Sequence, residues 1–355
     1  MNHSEAIHVS VIVPCRNEIK YIGAFLDSLF RQELGGIQMD VLIADGMSID
    51  GTQLVLSEYQ TKFPSIRVLD NPEKIASAGL NRMIRQARGE IILRMDVHTT
   101  YAPSYVRSCV ELLNETGAEN VGGPALTDAE GYVAGAIAEA FHTAFASGGA
   151  KFRDPSYEGW ARTVPYGCWR KSTLERIGLF DEELVRGQDD DLNFRIVSSG
   201  GKVWQSPRIV SWYHPRTDLS VLFRQFFQNG YWKVAVVRKY GRPLSWRNLA
   251  PGLTLLIGVV LPLCSAAASI SGSTWWRSAF LDTWLSFAAM YLAASFASAF
   301  SVARRKGWKF FPFLPIVFAT YQLSYALGFL LALFIPTAIW GLPGPMRKTT
   351  PAVTR

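Results

Sequence analysis

Apolar and polar positions change period several times along the chain, and each change marks an element. His8-Val-Ser-Val-Ile-Val-Pro14 is a nearly continuous apolar run, the pattern of a strand buried on both faces. Over 18–31 the apolar residues Ile22, Phe25, Leu26 and Leu29 recur at helical spacing and predict a helix. The alternation then repeats: strands are predicted over 39–45, 66–69 and 91–95, and helices over 51–62 and 76–87. This βαβα succession predicts an α/β domain whose mostly parallel sheet carries helices on both faces. Beyond residue 120 the pattern is less regular. Gly122-Gly-Pro124 reads as a turn after a short strand, 145–165 as a loop over the site, and 189–199 as a helix ended by Gly200-Gly201.

From residue 219 the pattern changes character. Leu222, Phe223, Phe226, Phe227 and Val234 alternate with Arg224, Lys233, Arg238 and Lys239, which predicts an amphipathic helix over 219–240. Such a helix either lies at a bilayer surface or docks on the first domain. Residues 248–276, 283–303 and 310–346 contain no charged side chain. A crossing helix needs about 20 apolar residues, so three spans are expected near 250–271, 282–303 and 312–336. Trp275 and Trp276 fall where an interfacial aromatic belt would lie. Pro312, Pro315 and Pro336 leave open whether the third segment crosses fully or re-enters. The expected order is a tail (1–8), an α/β domain (9–218), an interfacial segment (219–247), a membrane region (248–340) and a C-terminal tail (341–355).

Charge sharpens this division. Residues 1–247 carry 28 Lys plus Arg and 28 Asp plus Glu, whereas 248–355 carry 8 and 1, which accounts for the whole net charge of +7. The excess therefore flanks apolar stretches, most clearly at Arg304, Arg305, Lys306 and Lys309, and Arg242 and Arg247 precede the first span. That is the pattern of cytoplasmic membrane flanks, and it excludes a nucleic-acid-binding face. A third full span would put Arg347, Lys348 and Arg355 outside, against that tendency. Cys15, Cys109, Cys168 and Cys264 are scattered, with neither zinc-site nor disulfide spacing. The first residues lack the basic segment and apolar core of a secretory signal, so the α/β domain is expected to stay in the cytoplasm.

Ligands of open α/β sheets lie beyond the carboxyl ends of the strands, and Arg16, Glu18, Asp45, Asp96 and His98 all fall at such ends. Asp96 and His98, two residues apart just past a strand, suit a divalent cation holding a diphosphate. An imidazole beside one carboxylate moves the expectation from Mg²⁺ toward Mn²⁺. About ninety residues on, Gln188-Asp-Asp-Asp191 offers a candidate base, although acids there also suit a helix N-terminus. Asp190 reads as such a helix-end acid. Asp50, ahead of Gly51-Thr52, reads as a helix cap.

Val11-Ile-Val-Pro14-Cys-Arg16-Asn-Glu18, followed by Asp45-Gly-Met-Ser-Ile-Asp-Gly-Thr52, is similar to the VxxPxxNE and DGGSxDGT strings of family-2 glycosyltransferases of GT-A fold. Asp96-Val-His98 stands where that family carries Asp-x-Asp. Gly178-Leu-Phe-Asp-Glu182 is similar to GGFDE, and Asp189-Asp-Asp-Leu-Asn-Phe-Arg195 to the ED-x-D-L-x-x-R string, with Gln188 in place of the Glu. The resemblance covers about 8–240. With the three-span tail it narrows to bacterial exopolysaccharide glycosyltransferases of the succinoglycan type.

The resemblance implies an inverting transfer of a hexose, glucose in that subgroup, from a UDP-sugar to a lipid-linked saccharide at the inner membrane. Other polysaccharide-assembly proteins would be partners. Pro14, Arg16, Glu18, Asp45 and Asp96 would bind the nucleotide donor. Asp96 and His98 would hold the cation (Mn²⁺ or Mg²⁺), with His214 as a third ligand, and Asp189 would be the base. Asp191, Gln225 and Trp232 would contact the acceptor, and Arg195 would pair with a carboxylate. Two rivals remain: a polyprenyl-phosphate glycosyltransferase, and a non-catalytic nucleotide-binding subunit of a polysaccharide export complex.

Overall fold

The structure is a computed structural model that describes residues 6–214, 218–241 and 246–335. Arg242, Pro336 and the tail expected at 341–355, with Arg347, Lys348 and Arg355, lie outside the described residues. Residues 6–128 and 151–214 make one compact unit, and 129–150 group with the helices after residue 217 in a second.

The first unit is built on an eight-stranded sheet. β1 (His8–Cys15), β2 (Gln38–Asp45), β3 (Ile66–Asp70) and β4 (Ile91–Arg94) run parallel, with β1 between β2 and β4. α1 (Ile22–Phe30), α2 (Thr52–Lys62) and α3 (Ala76–Gln86) connect them. β5 (Thr99–Tyr101), α4 (Tyr105–Thr116), β6 (Asn120–Gly122) and β7 (Leu126–Thr127) follow. The chain leaves this unit for α5 (Tyr132–Phe141) and α6 (Ala144–Ser147). It returns as β8 (Gly159–Ala161), β9 (Cys168–Arg170), α7 (Lys171–Ile177), α8 (Gln188–Ser198), β10 (Val203–Gln205) and β11 (Ser211–Tyr213). Beyond β4 the sheet continues β9-β6-β10-β8, with β9 and β8 antiparallel to their neighbours. β5, β11 and β7 form a separate small sheet. The stretch 145–165, expected as a loop, thus contains a helical turn, a 3-10 turn at Lys151–Arg153 and the edge strand β8.

Alternation along β1 distributes the core. Val9, Val11 and Val13 pack with Phe25, Leu26 and Leu29 of α1 and Val106 and Leu113 of α4. Ile12 lies on the other face with Leu80, Met83 and Ile84 of α3 and Leu192 and Ile196 of α8. Pro14 is tolerated in this central strand because β4 stops pairing at Ile12↔Arg94, so the missing N–H removes no ladder bond on that side. Helix α1 starts at Ile22, the first residue of its apolar spacing and four residues after the predicted start, because 17–19 are engaged by side chains of a neighbouring loop.

The second unit adds α9 (Leu219–Tyr240), α10 (Ala250–Ile270), α11 (Thr274–Lys306) and α12 (Leu314–Phe334). Arg247–Ile270, Thr274–Lys306 and Leu314–Phe334 are long and apolar enough to cross a membrane. Of the three, α12 is the most enclosed, and α10 and α11 leave most of their surface uncovered. It runs unbroken from Leu314, with Pro315 in its first turn, where a missing N–H costs no intrahelical bond. Helix α9 packs along α12, an arrangement its amphipathic pattern does not specify. Phe226 meets Tyr321 edge-on at 4.4 Å, and Arg238 donates to the carbonyls of Ala332 and Leu333 at the end of α12. Ala136, Ile137 and Ala140 of α5 join Leu222, Val302 and Phe318 in one cluster, which explains why 129–150 belong to this unit.

The α9–α12 crossing depends on two glycines. A Cβ on Gly328 would fall 1.9 Å from the Phe227 carbonyl oxygen, and one on Gly230 would fall 2.1 Å from that of Tyr325. Backbone cannot yield as a flexible side chain can, so Gly328→Ala should destabilise the full-length protein by ~1–3 kcal/mol, the usual cost of overpacking. A thermal-unfolding midpoint in detergent equal to wild type would contradict this packing.

Candidate active site

Two loops at the carboxyl end of the sheet are joined by side chains that take the place of a ladder. The Asn17 N–H donates to Ser48 Oγ at 2.8 Å, the Glu18 N–H to Thr52 Oγ1 at 2.8 Å, and the Ile19 N–H to Asp50 Oδ2 at 3.1 Å. In return the Ile49 N–H donates to Asn17 Oδ1 at 3.0 Å. These residues make no ladder, and short polar side chains supply partners for their backbone donors, of which the Glu18 N–H is the buried one. Asn17 has φ 55°, in the left-handed region that Asn tolerates better than most residues. Asp50 also accepts from the Thr52 N–H at 3.1 Å, but the cap position of α2 is Gly51, so Asp50 orders the turn ahead of the helix rather than capping it as expected.

Asp45, at the end of β2, is 1 % exposed. Its carboxylate accepts from the Ser48 N–H and hydroxyl and from Gln53 Nε2 at 2.7 Å. A carboxylate has about four acceptor sites, so these contacts orient it without exhausting it. Arg16 lies over Gly46, where a Cβ would come within 2.9 Å of Arg16 Cδ. Its Nε is buried and makes no hydrogen bond. Burial pushes the Cys15 thiol well up, with Glu18, Asp45 and Asp50 adding to the effect, so this cysteine is an inert part of the floor.

Asp96 and His98 occupy the turn between β4 and β5. The Tyr101 hydroxyl clasps the peptide groups of Asp96, accepting from its N–H at 2.7 Å and donating to its carbonyl at 3.3 Å. His98 Nε2 lies 3.0 Å from Glu18 Oε1 but is not aligned with it as a hydrogen bond, and Tyr21 packs edge-on against the imidazole at 4.5 Å. A carboxylate and an imidazole nitrogen side by side are residue types that could hold a divalent cation. The three-residue ligand set expected from the sequence is not assembled. Among the described residues no three His, Cys, Asp or Glu side chains gather as a metal site. His214 reaches His98 only through its backbone, at 3.2 Å, while its Nε2 pairs with Thr100 Oγ1 at 2.9 Å.

A buried cation ties this turn to the far part of the sequence. Arg94 has a side chain 0 % exposed; its Nη2 lies 3.2 Å from Asp96 Oδ1, and its Nη1 donates to Asp189 Oδ1. Asp189 stands in the first turn of α8, after Gly187 at φ 79°. Its side chain is 23 % exposed. Burial pushes its carboxyl up to about 6, Arg94 opposes the rise, and Asp96 and Asp190 add to it. Gln188, immediately before, is buried, and neither atom of its amide makes a hydrogen bond.

Three expected acceptor contacts are placed differently. The Asp191 side chain is 0 % exposed and receives Arg195 Nε at 2.9 Å. Arg195 in turn donates to the carbonyls of Ile177 and Leu179, so the pair fastens the loop before α8 rather than facing a cleft. Trp232 is buried, edge-on to Tyr231, and Gln225 is half-buried in α9. Neither presents an open platform. Arg94 and Tyr101 were not singled out from the sequence. The signal for Arg94 was available: a charged residue inside the apolar run Ile91-Ile-Leu-Arg-Met must be paired if the strand is buried.

With this geometry in view, the comparisons with known proteins are consistent. Residues 10–163 match the model of Glycosyl transferase family 2, and the chain carries a family 2 glycosyltransferase domain. It is 29% identical over 269 residues to the succinoglycan biosynthesis protein ExoA of Rhizobium meliloti (strain 1021), covering 75% of this chain and 81% of that protein. It is 27% identical over 263 residues to a dolichyl N-acetyl-alpha-D-glucosaminyl phosphate 3-beta-D-2,3-diacetamido-2,3-dideoxy-beta-D-glucuronosyltransferase of Methanococcus voltae, covering 71% and 81%. A mannosyltransferase, PcManGT, from Pyrobaculum calidifontis, solved with GDP-Man and Mn²⁺, superposes with a TM-score of 0.53 at 18% identity, covering 92% of this chain and 88% of that one. The fold is of GT-A type, with three long apolar helices after it.

The joined loops make a specific demand on Asp50. Asp50→Ala removes acceptors for Ile19 and Thr52, each worth about 0.5–1.5 kcal/mol net. Thermal unfolding should show a loss of ~1–2 kcal/mol; an unchanged midpoint would mean that the two loops do not depend on each other.

Proposed function

We propose that this protein is a membrane-bound inverting glycosyltransferase. It moves a hexose, glucose in the first instance, from a UDP-sugar to a hydroxyl of a lipid-linked saccharide during surface-polysaccharide assembly. The observation that carries this reading is the juxtaposition, through Arg94, of a carboxylate suited to a base with the Asp96–His98 turn. The names of the two relatives, one in succinoglycan biosynthesis and one acting on a dolichyl-linked sugar, support a polysaccharide context and a lipid-linked acceptor. The apolar helices suit an acceptor that stays in the bilayer, and we place the catalytic unit on the cytoplasmic side of the inner membrane.

Glu18, Asp45 and the paired loops would hold the nucleoside, and Arg16 Nε would donate to the diphosphate. A divalent cation held by Asp96 and His98 would neutralise the departing diphosphate and stand in for a protein acid. Asp189 would accept the proton of the acceptor hydroxyl. That oxygen would attack the anomeric carbon on the face opposite the nucleotide, the bond to the diphosphate oxygen would break, and UDP would leave with the electron pair. The vacant amide of Gln188 is suited to a second acceptor hydroxyl.

Membranes carrying the protein should transfer label from radiolabelled UDP-glucose to lipid-linked saccharide in the presence of Mn²⁺, and should stop when EDTA is added. Asp189→Asn should lower transfer by at least about 10²-fold, the lower end of general-base effects. Label that survives this substitution would instead favour a phosphate acceptor, which needs no base. UDP binding without any transfer would favour a non-catalytic subunit.

The carboxyl at about 6 gives a further expectation. A base must be deprotonated, so kcat/KM should be level above about pH 6 and fall about tenfold per unit below it. An acid limb centred near pH 4 would show that burial does not raise the titrating carboxyl, or that another group titrates.

A further inference from the structure

We propose that Arg94 is the positioning residue that fixes the base Asp189 relative to the donor-end carboxylate Asp96, so that the acceptor and donor halves of the reaction share one rigid unit. This rests on the reading of Asp189 as base. One end of the link is anchored twice. The backbone of Arg94 closes β4, paired in register with Ile12 of β1, and its N–H donates to the Gly167 carbonyl at 3.0 Å. Two residues on, the Tyr101 hydroxyl grips both peptide groups of Asp96. The other end, Asp189, enters from a helix that begins 94 positions later in the chain, after a glycine in the left-handed region.

The guanidinium suits this task by its shape. It is planar, and its separate edges serve separate carboxylates: Nε and Nη2 face Asp96 at 3.4 and 3.2 Å while Nη1 takes Asp189. A lysine ammonium carries the same charge but no fork, and it cannot hold two carboxylates at a fixed angle. A base must stand within about 2.6–3.2 Å of the proton it takes, and a misplacement near 1 Å can cost ~100-fold. Arg94 is wholly buried and offers no surface to a substrate. It acts through Asp189.

A double-mutant cycle separates this role from simple support of the fold. Full-length wild type, Arg94→Lys, Asp189→Asn and the double variant are compared, with Arg94→Gln in parallel because loss of a buried guanidinium can prevent folding. Initial transfer is read from radiolabelled UDP-glucose with Mn²⁺ and lipid-linked saccharide extract, and UDP affinity is measured in the same preparations. Arg94→Lys should lower transfer about 10–100-fold while UDP affinity stays within about threefold. In the Asp189→Asn background the Arg94 substitution should have no further effect, because residues acting as a unit are not additive.

Losses that multiply, with Asp189→Asn itself impaired, would overturn the link and leave the functional reading intact. So would wild-type transfer by Arg94→Lys, or loss of UDP binding in both Arg94 variants. Wild-type transfer by Asp189→Asn would remove the base assignment, and this proposal with it.

Discussion

A guanidinium removed from water persists only where carboxylates surround it, because burying an unpaired charge costs several kcal/mol. Arg94, wholly buried in the centre of the sheet, imposes that condition on the whole first unit. The strand's period of two decides where the partners must come from. Leu93 points into the core beneath α1 and α4, so Arg94, next to it in β4, points to the opposite face, which α3 and α8 cover. Helix α8 is held on that face by Leu192 and Ile196, and its first turn delivers Asp189. Hydrophobic packing of one end of a helix thus sets the position of a carboxylate at its other end.

The remaining polar groups near the strand ends obey the same rule on a smaller scale. Residues 17–19 and 48–52 make no ladder, and each loop's side chains satisfy the other's backbone. Further on, Asn81 of α3 holds the Phe180 backbone with both ends of its amide, donating at 2.8 Å and accepting at 2.9 Å, and Asp191 with Arg195 holds 177–179. These contacts account for the fixed order of short polar strings in the sequence without assigning every acid to chemistry. Asp50, Asp191 and Arg195 are parts of the scaffold that keeps Glu18, Asp45 and Asp189 in place.

What could be read from the sequence follows from the range of the interactions involved. The βαβα core was legible because burial on both faces of a strand and on one side of a helix leaves a local periodic trace, as in Val9 to Val13 and Ile22 to Leu29. The three long apolar helices were legible because length and the absence of charge are local features of the chain. The Arg94–Asp189 pair joins positions 95 apart, and nothing local announces it beyond an arginine in an apolar strand. The placement of 129–150 was hidden for a related reason: Ala136, Ile137 and Ala140 make a short apolar stripe that fits either unit, and only the surfaces of α11 and α12 decide between them. For Asp191 and Trp232 the residue types suggested contact with a ligand, and burial by their own neighbours outweighed that suggestion.

Charge balance adds a last constraint on what the strand ends can hold. Glu18, Asp45, Asp96 and Asp189 bring four carboxylates there, and Arg16 and Arg94 bring two guanidiniums. Arg94 is already shared between two of those acids, which leaves Arg16 as the cation with a buried N–H unspent. A diphosphate entering this surplus of negative charge is repelled unless further positive charge comes with it, since Coulomb terms at a few ångströms are large wherever water is thinned out. His98 Nε2 lies near Glu18 without aligning to it, and the Asp96 carboxylate already faces Arg94. Arg94 holds Asp96 and Asp189 apart on its separate edges, so the two carboxylates keep distinct positions at the strand ends.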